Sequence, residues 1–218
     1  MNRRTDIRRD SKPSSPILFH DAESKARLEA RNGLLQFDEV IRLVVEAMKS
    51  TAAFKLRPST LQTLHRIAIQ DIYKCAGNYR THSVSIRGTT HQPPPWENVP
   101  QLVEEACDYV IDNWSRTAIH LAAYLMWRTN WIHPFSGGNG RTSRAVSYLV
   151  LCTKLGCRLP GTLTIPEQVV ASREPYYLAL DSADEASTRG LVDVNAMEEL
   201  LSNILAKQLV NVYKNATK

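Results

Sequence analysis

Positions 133–144 bring together side chains whose types and spacing suit phosphate chemistry. His133 opens this stretch, and three of the chain's nine glycines follow within positions 137–140. Glycine there lets backbone N–H groups turn inward and approach an anion closely, as a phosphate nest requires. Arg141 and Arg144 are three residues apart, so a helix would place both guanidinium groups on one face, where they suit a di- or triphosphate.

The flanking segments predict that this stretch is a loop leading into a helix. An apolar segment, residues 118–127, precedes it, and an amphipathic segment, residues 145–150, follows it. A helix N-terminus carries partial positive charge and unpaired N–H groups, so it is a ready anion site. The alternatives are an ordinary Gly-Asn-Gly turn and two arginines on a solvated helix face. The combination of the turn with both arginines favours phosphate binding.

His133 is a candidate general base. Its imidazole is neutral near pH 7 and can accept a proton from a hydroxyl. Because His133 follows a largely apolar segment, the alternative is a buried histidine whose nitrogens are satisfied by the backbone. Its position directly before Pro134, Phe135 and the glycine-rich turn favours the catalytic interpretation.

These residues resemble the signature of Fic-domain proteins. That signature reads His-Pro-Phe, any residue, an acidic residue, Gly-Asn-Gly-Arg, two further residues and Arg, and residues 133–144 match it except at Gly137. A second block is similar too, running from Gly77 through 84–88 to Pro100, and so is the pair at 176–177. The resemblance covers about positions 57–180. It implies an all-α fold, a Fic-like helical bundle with one small β-hairpin flap.

The resemblance also implies a reaction and a role for each motif residue. Fic proteins of the nucleotidyl-transferring branch move AMP from ATP to a Ser, Thr or Tyr hydroxyl of a target protein. His133 would take the proton from that hydroxyl, while Phe135 anchors the loop in the core. The nucleotide-binding residues would be Gly138, Asn139 and Gly140 at the α- and β-phosphates, Arg141 at the β-phosphate and Arg144 at the γ-phosphate.

Gly137 departs from the family pattern. The acidic residue that Fic proteins have there helps to hold Mg²⁺ between the phosphates, and glycine has no side chain for that purpose. Three outcomes are open: phosphates and water alone hold the metal, another acidic residue substitutes, or the domain is slow or only binds nucleotide. The resemblance thus implies ATP and Mg²⁺ but assigns no metal ligand in this chain.

Two further features separate this chain from its alternatives within the family. The Doc-like branch, which resembles a kinase of elongation factors, has Lys at the position of Arg141 and Ala at that of Gly138.

Some Fic proteins also carry an inhibitory helix whose glutamate pairs with the second arginine of the motif. Residues 25–30 are the nearest candidate for that helix, but both ends depart from its pattern, so we expect Glu29 to be a surface glutamate. A separate inhibitory partner protein remains an open alternative.

The flap is the candidate target-binding element. Val84 and Ile86 alternate with Ser85 and Arg87, a period of two that predicts a short strand. An exposed strand edge of Val84, Ser85 and Ile86 would pair with an extended segment of the target. A purely structural hairpin is an equally weighted alternative.

Composition limits the function classes. The 218 residues are 43% hydrophobic, without an apolar run of the ~20 residues that a membrane span needs, so we expect no membrane partner. The basic arm, residues 1–16, lacks the apolar region of a secretory signal and supplies three of the five net positive charges. We interpret it as a disordered, solvated tail, which disfavours a nucleic-acid partner. Four cysteines without metal-ligand spacing indicate reduced thiols and a cytoplasmic location, bacterial or after delivery into a host cell.

The predicted organisation is one compact unit behind that arm. Residues 17–56 form N-terminal helices and residues 57–218 form the Fic-like domain. The favoured function is a protein adenylyltransferase. The alternative is a degenerate domain that binds a nucleotide or a phosphoprotein without turnover. The predicted helices are 21–31, 34–48, 58–75, 97–114, 116–131, 141–156, 165–172, 175–186 and 195–213.

Overall fold

A computed structural model describes Arg9, Ser11, residues 16–161 and residues 163–217. Within these residues the fold is all-α, as predicted. A short 3-10 turn, Trp96–Asn98, precedes α3. The helices are α1 Ala22–Lys49, α2 Pro58–Ile69, α3 Val99–Asp112, α4 Ala118–Ile132, α5 Asn139–Leu155, α6 Ile165–Ala171, α7 Arg173–Thr188 and α8 Asn195–Ala216.

Helix α1 is one continuous helix where the sequence predicts two. Asp21 caps it as predicted: its side chain accepts the Ser24 N–H, and the Ser24 hydroxyl lies 3.1 Å from the Asp21 N–H. The buried face continues at every fourth position through Asn32, Gln36, Val40 and Val44. Asn32 donates to the backbone carbonyl of residue 70 and Gln36 to that of residue 64, so the buried face is polar at one end. An apolar pattern therefore cannot show that the helix is continuous.

The core is centred on α4 and α5, which pack against each other and are joined by the 133–138 loop. Helix α4 is buried on nearly every side, and Trp127 and Tyr148 are the largest fully buried side chains of the pair. Helix α2 packs against α5 and ends at Ile69, earlier than predicted, because Gln70 has an extended ψ of 145° and Asp71 then adopts a left-handed φ of 62°. The loop that carries His133 is thus held between two buried helices.

The predicted β-hairpin is not formed by the described residues. Side chains of residues 82–87 alternate between half-buried and exposed, as the period of two predicts, but Val84–Arg87 pairs with no other strand. The only bridge in the described chain joins Ile17 to Tyr73. Arg80 instead anchors the segment at both ends, by donating to the carbonyls of His82 and Pro94.

None of the helices in the described part of the chain combines the length and apolar character that crossing a membrane would require.

Candidate active site

His133 lies at the junction between α4 and the loop. It is the C-terminal cap residue of α4 and has a left-handed backbone, with φ of 49° and ψ of 57°. Pro134 has no N–H with which to continue the helix, so the chain must turn at this point. A left-handed conformation costs a non-glycine residue about 1 kcal/mol, and such residues concentrate at functional sites. The turn directs the imidazole into the cavity in front of α5.

The loop is closed by Asn139, the first residue of α5. Its carboxamide accepts the N–H of Phe135 at 2.9 Å and donates to the carbonyl of Phe135 at 2.8 Å. The residue before it, Gly138, has φ of 79° and would place a Cβ atom 2.9 Å from Cγ2 of Ile69. Only glycine fits this conformation and this space. The side chain of Asn139, a predicted nest residue, therefore shapes the loop.

His65 of α2 packs against the loop, although no motif in the sequence points to it. Its ring stacks on Phe135 with centroids 3.6 Å apart and planes 6° apart. The N–H of Gly77 donates to Nδ1 at 3.0 Å, which leaves Nε2–H to donate to the carbonyl of Gly137 at 2.9 Å. Burial lowers the pKa of His65 to about 4, so the ring is neutral near pH 7.

Arg80 fastens the flap segment to the loop. It is 2% exposed, and its Nε donates to the carbonyl of His133 at 2.9 Å. Its other guanidinium nitrogens donate to the carbonyls of His82 and Pro94, at the two ends of the flap. A buried guanidinium with carbonyl partners holds several chain segments in one geometry. The flap and the His133 backbone therefore share one buried connection.

The His133 imidazole is enclosed and neutral. The residue is 5% exposed, and burial lowers its pKa to about 3, with further lowering by the charge of Arg80. Nδ1 lies 3.4 Å from the carbonyl oxygen of Asn130, which can only accept, so a proton on Nδ1 suits that contact. In this tautomer the lone pair of Nε2 faces the hydroxyl of Ser11 at 3.0 Å. The imidazole has the protonation state and orientation of a general base.

Arg141 and Arg144 lie together on α5, as predicted. Arg141 donates to the carbonyl of Ala68 at 3.0 Å and to Glu29 at 3.3 Å. The guanidinium of Arg144 lies over the first turn of the helix, since a Cβ atom at Gly140 would meet its Nη1 at 3.3 Å. The N–H groups at the very start of a helix have no carbonyl acceptor within the helix, so they can bind another group. Two guanidinium groups thus flank a helix N-terminus.

Glu29 differs from the expected surface glutamate. Its side chain is 29% exposed and faces the cavity, with Oε1 3.3 Å from Arg141 and 3.9 Å from Lys25. The reason is that α1 continues past residue 31 and packs along α2 and α5, which turns its first part toward the loop. Glu29 contacts the first arginine of the motif, whereas the inhibitory glutamate of the family pairs with the second.

A cavity of about 290 Å³ joins these features. Its described lining includes the loop from Gly137 to Gly140 and His133, and it carries five Lys or Arg residues against two carboxylates, so it suits an anionic ligand. The flap contributes Ile86 to its wall, while Val84 and Ser85 lie outside its described lining. The cationic residues are Arg9, Lys25, Arg141, Arg144 and Arg173, and the carboxylates are Glu29 and Asp184.

Two residues of the N-terminal arm also line this cavity. Ser11 is buried against His133, and Arg9 pairs with Asp181 of α7 at 2.7 Å. At these residues the structure differs from the solvated tail that composition favours, because Arg9 finds a carboxylate and an aromatic ring on α7. The other residues of positions 1–15 lie outside the described chain. No periodicity or motif in the sequence marks Ser11 as a site residue.

The comparison with protein families agrees with this geometry. The model of the Fic/DOC family matches residues 55–151, which contain α2 to α4, the loop and most of α5. The similarity to the Fic/DOC family therefore rests on this segment of the chain.

Solved structures share the fold beyond the matched segment. A Fic domain containing signaling protein from Bacteroides thetaiotaomicron VPI-5482 has a TM-score of 0.70 at 20% identity, over 88% of this chain and 73% of that one. A Fic family protein from Desulfovibrio desulfuricans G20 has a TM-score of 0.65 at 19% identity, over 93% and 57%. BepC, a VirB-translocated effector from Bartonella tribocorum solved with bound AMPPNP, has a TM-score of 0.53 at 16% identity, over 82% and 86%.

At these identities the structural likeness concerns the fold alone. This chain spans little more than half the length of the Desulfovibrio protein.

Proposed function

We propose that this protein transfers AMP from ATP to a hydroxyl of a protein. The observation that carries the proposal is the 3.0 Å contact between the Ser11 hydroxyl and Nε2 of His133. It places a hydroxyl within reach of a neutral base, in the same cavity as a helix N-terminus flanked by arginines. The attacking oxygen bonds to the α-phosphorus, pyrophosphate leaves with the bonding electrons, and His133 takes the hydroxyl proton.

The chain's own groups would stabilise the triphosphate. The N–H groups of the first turn of α5 are suited to the phosphates nearest the loop, and Arg141 and Arg144 to the outer two. Because Glu29 contacts Arg141, binding of the β-phosphate would have to replace this carboxylate. The phosphate charge would in turn raise the pKa of His133 from its lowered value, which would make it a stronger base. A nucleotide-bound solved relative, BepC with AMPPNP, supports this choice of ligand.

Apart from the phosphates of a bound nucleotide, the cavity offers few ligands for a metal ion. Among the described residues, no group of three or more His, Cys, Asp or Glu could hold one. The Glu29 carboxylate is engaged by Arg141, and that of Asp184 accepts from Trp127 at 2.8 Å. We therefore assign no protein ligand to Mg²⁺ and derive no catalytic step through it.

Labelled ATP provides the test. The wild-type chain and His133→Ala are incubated with cell lysate and ATP labelled at either the α- or the γ-phosphate. Transfer of the α-label to proteins by the wild type alone supports the proposal, because His133 acts on the incoming hydroxyl and the phosphate site is left intact. Transfer of the γ-label instead would mean kinase action.

A nucleotide-binding module without turnover is the second candidate. It is favoured by Gly137, which brings no carboxylate to the phosphate site, and by the enclosure of His133. ATP binding in calorimetry without transfer of either label, in the lysate or to the chain itself, would select this alternative.

A further inference from the structure

Ser11 lies where an acceptor hydroxyl has to lie for the transfer. Its Oγ is 3.0 Å from Nε2 of His133 and 2.7 Å from the carbonyl oxygen of Ser136, and the residue is 6% exposed. It lines the same cavity as the first turn of α5. A serine hydroxyl belongs to the chemical class that the proposed reaction consumes. The acceptor in contact with the base is therefore part of the chain itself.

Arg9 holds this serine in place. Its two terminal nitrogens donate to the two carboxylate oxygens of Asp181 at 2.8 and 2.7 Å. Its backbone N–H donates to the hydroxyl of Tyr177 at 3.1 Å, and its guanidinium lies 4.6 Å from the centre of that ring. A bidentate pair combined with a ring contact fixes a side chain in one orientation. Arg9 is thus a positioning residue for Ser11, two residues along the chain.

The hydroxyl proton of Ser11 has two acceptors within reach but can serve only one at a time. When the hydroxyl donates this proton to the Ser136 carbonyl, Ser11 is held in place but cannot donate to His133. Rotation about the Cβ–Oγ bond directs the proton to the lone pair of Nε2 and leaves an oxygen lone pair available for attack. The second arrangement is the one that general-base catalysis needs.

We propose that Ser11 is a site of self-modification and accepts AMP from ATP within the same chain. This inference rests on the proposed function. Ser11 Oγ forms a bond to the α-phosphorus, and the bond from that phosphorus to the oxygen bridging to the β-phosphate breaks. Pyrophosphate carries away the electron pair, and the hydroxyl proton passes to Nε2 of His133. The product is a phosphodiester between Ser11 and adenosine.

Mass spectrometry of the full chain after incubation with ATP and Mg²⁺ tests this inference. We expect the mass to rise by one AMP group, with the modified peptide mapping to Ser11. The modification should be lost in Ser11→Ala and His133→Ala and retained in Ser11→Thr, which keeps a hydroxyl. Ser14→Ala and Ser15→Ala, in the same arm, are matched controls that should keep it. The rate per molecule should not depend on protein concentration, because acceptor and base share one chain.

Asp181→Asn tests the positioning by Arg9. It removes the charge that holds Arg9 and should slow self-modification at least several-fold without altering ATP affinity. Glu185→Gln, one turn later on α7, removes a carboxylate paired with Arg189 and should leave the rate unchanged. A rate that is equal in Asp181→Asn and wild type would contradict the role of Arg9.

Labelling of lysate proteins by the wild type separates failure of the inference from failure of the proposed function. If lysate proteins take up the α-label and Ser11 takes up none, or if another residue of the chain carries the AMP group in Ser11→Ala at the wild-type rate, Ser11 is not the acceptor and the proposed function stands. If ATP binds and neither the chain nor a lysate protein is labelled, the proposed function is wrong and the inference falls with it.

Discussion

The side chain of Asn139 forms two hydrogen bonds with the backbone of Phe135, one to the N–H at 2.9 Å and one to the carbonyl at 2.8 Å. Both residues are buried, so each bond stands in place of water. The pair closes the loop between the candidate base and the helix whose N-terminus is the proposed phosphate site. The shape of that proposed site therefore depends on a side chain that need not touch phosphate.

Replacing Asn139 tests this role. In Asn139→Ala the N–H and carbonyl of Phe135 lose their partners, at a cost of about 1–3 kcal/mol for each buried group left unsatisfied. We expect a lower free energy of unfolding and at least tenfold weaker ATP binding, measured by denaturant titration and calorimetry. Asn203→Ala, at an exposed position of α8, is the matched control. Unchanged ATP affinity in a destabilised Asn139→Ala would show that the loop keeps its shape without the pair.

The pH dependence of stability should report the two buried histidines. Burial lowers the pKa values of His65 and His133 to about 4 and about 3, below the unfolded value. The folded state therefore binds fewer protons than the unfolded state below pH 6.5, so the free energy of unfolding falls with acidification and is flat above that pH. His65 alone should contribute roughly 2 kcal/mol to the loss between pH 7 and pH 5.

Urea titrations of wild type and His65→Phe at both pH values measure this contribution. Phenylalanine keeps a ring against Phe135 but does not titrate and leaves the Gly137 carbonyl without its donor. The variant should be less stable at pH 7 and should lose less stability on acidification. An identical pH slope in the two proteins would mean that folding does not lower the pKa of His65.

Gly138→Ala should disrupt the site more than any other glycine substitution in the motif. The position has φ of 79°, and a Cβ atom would contact Ile69 at 2.9 Å and His65 at 3.3 Å. Gly156→Ala has a similar φ of 65° with nothing within 4 Å, so it isolates the conformational cost of about 1 kcal/mol. The excess loss in Gly138→Ala, measured by thermal unfolding, is then due to contact. Equal losses would mean that the loop moves to accept the methyl group.

Arg144→Ala should weaken ATP binding more than AMP binding. Its guanidinium lies over the first turn of α5, where the outer phosphates of a bound triphosphate are expected. Calorimetric titration with ATP, ADP and AMP measures the pattern, and Arg158→Ala, beyond the end of α5, is a control. The same fold-loss for all three nucleotides would contradict the assignment to the outer phosphates.

Gly137→Asp tests the departure from the family pattern. Gly137 does not have the positive φ of Gly138, so its backbone accepts an aspartate. The carboxylate would offer a ligand to Mg²⁺ and would repel the triphosphate without it. With millimolar Mg²⁺ we expect faster AMP transfer than in wild type; with chelator we expect weaker ATP binding. If the wild type is already fully dependent on Mg²⁺ and the variant gains nothing, Gly137 does not limit the reaction.

The sequence predicts well what depends on local chemistry. The helices, the Asp21 cap and the placement of Arg141 and Arg144 follow from capping and periodicity. His65 could also have been placed on a buried face, because it follows Leu61 and Leu64 at helical spacing and precedes Ala68 and Ile69. Its stacking on Phe135 could not, since that contact joins residues 70 positions apart.

The sequence gives no signal for what depends on tertiary partners. Composition marks the arm as a polar tail, but Arg9 becomes ordered because Asp181 and Tyr177 lie together on α7. The flap is the opposite case: its side chains do alternate, but a strand also needs a paired neighbour, and none of the described segments pairs with Val84–Arg87. Pairing between distant residues decided both outcomes.

The buried position of Ser11 has a consequence for every outside substrate. A group carried on the chain a few residues from its anchor acts as a tethered ligand, whose effective concentration at the site is on the order of millimolar. The Arg9–Asp181 pair adds to this occupancy, and it is partly exposed to solvent and so weakened by salt. Affinity for a target measured on the full chain is then the intrinsic affinity multiplied by the fraction of molecules whose site the arm has vacated. Ionic strength would set that fraction, and with it the apparent affinity of the protein for every outside target.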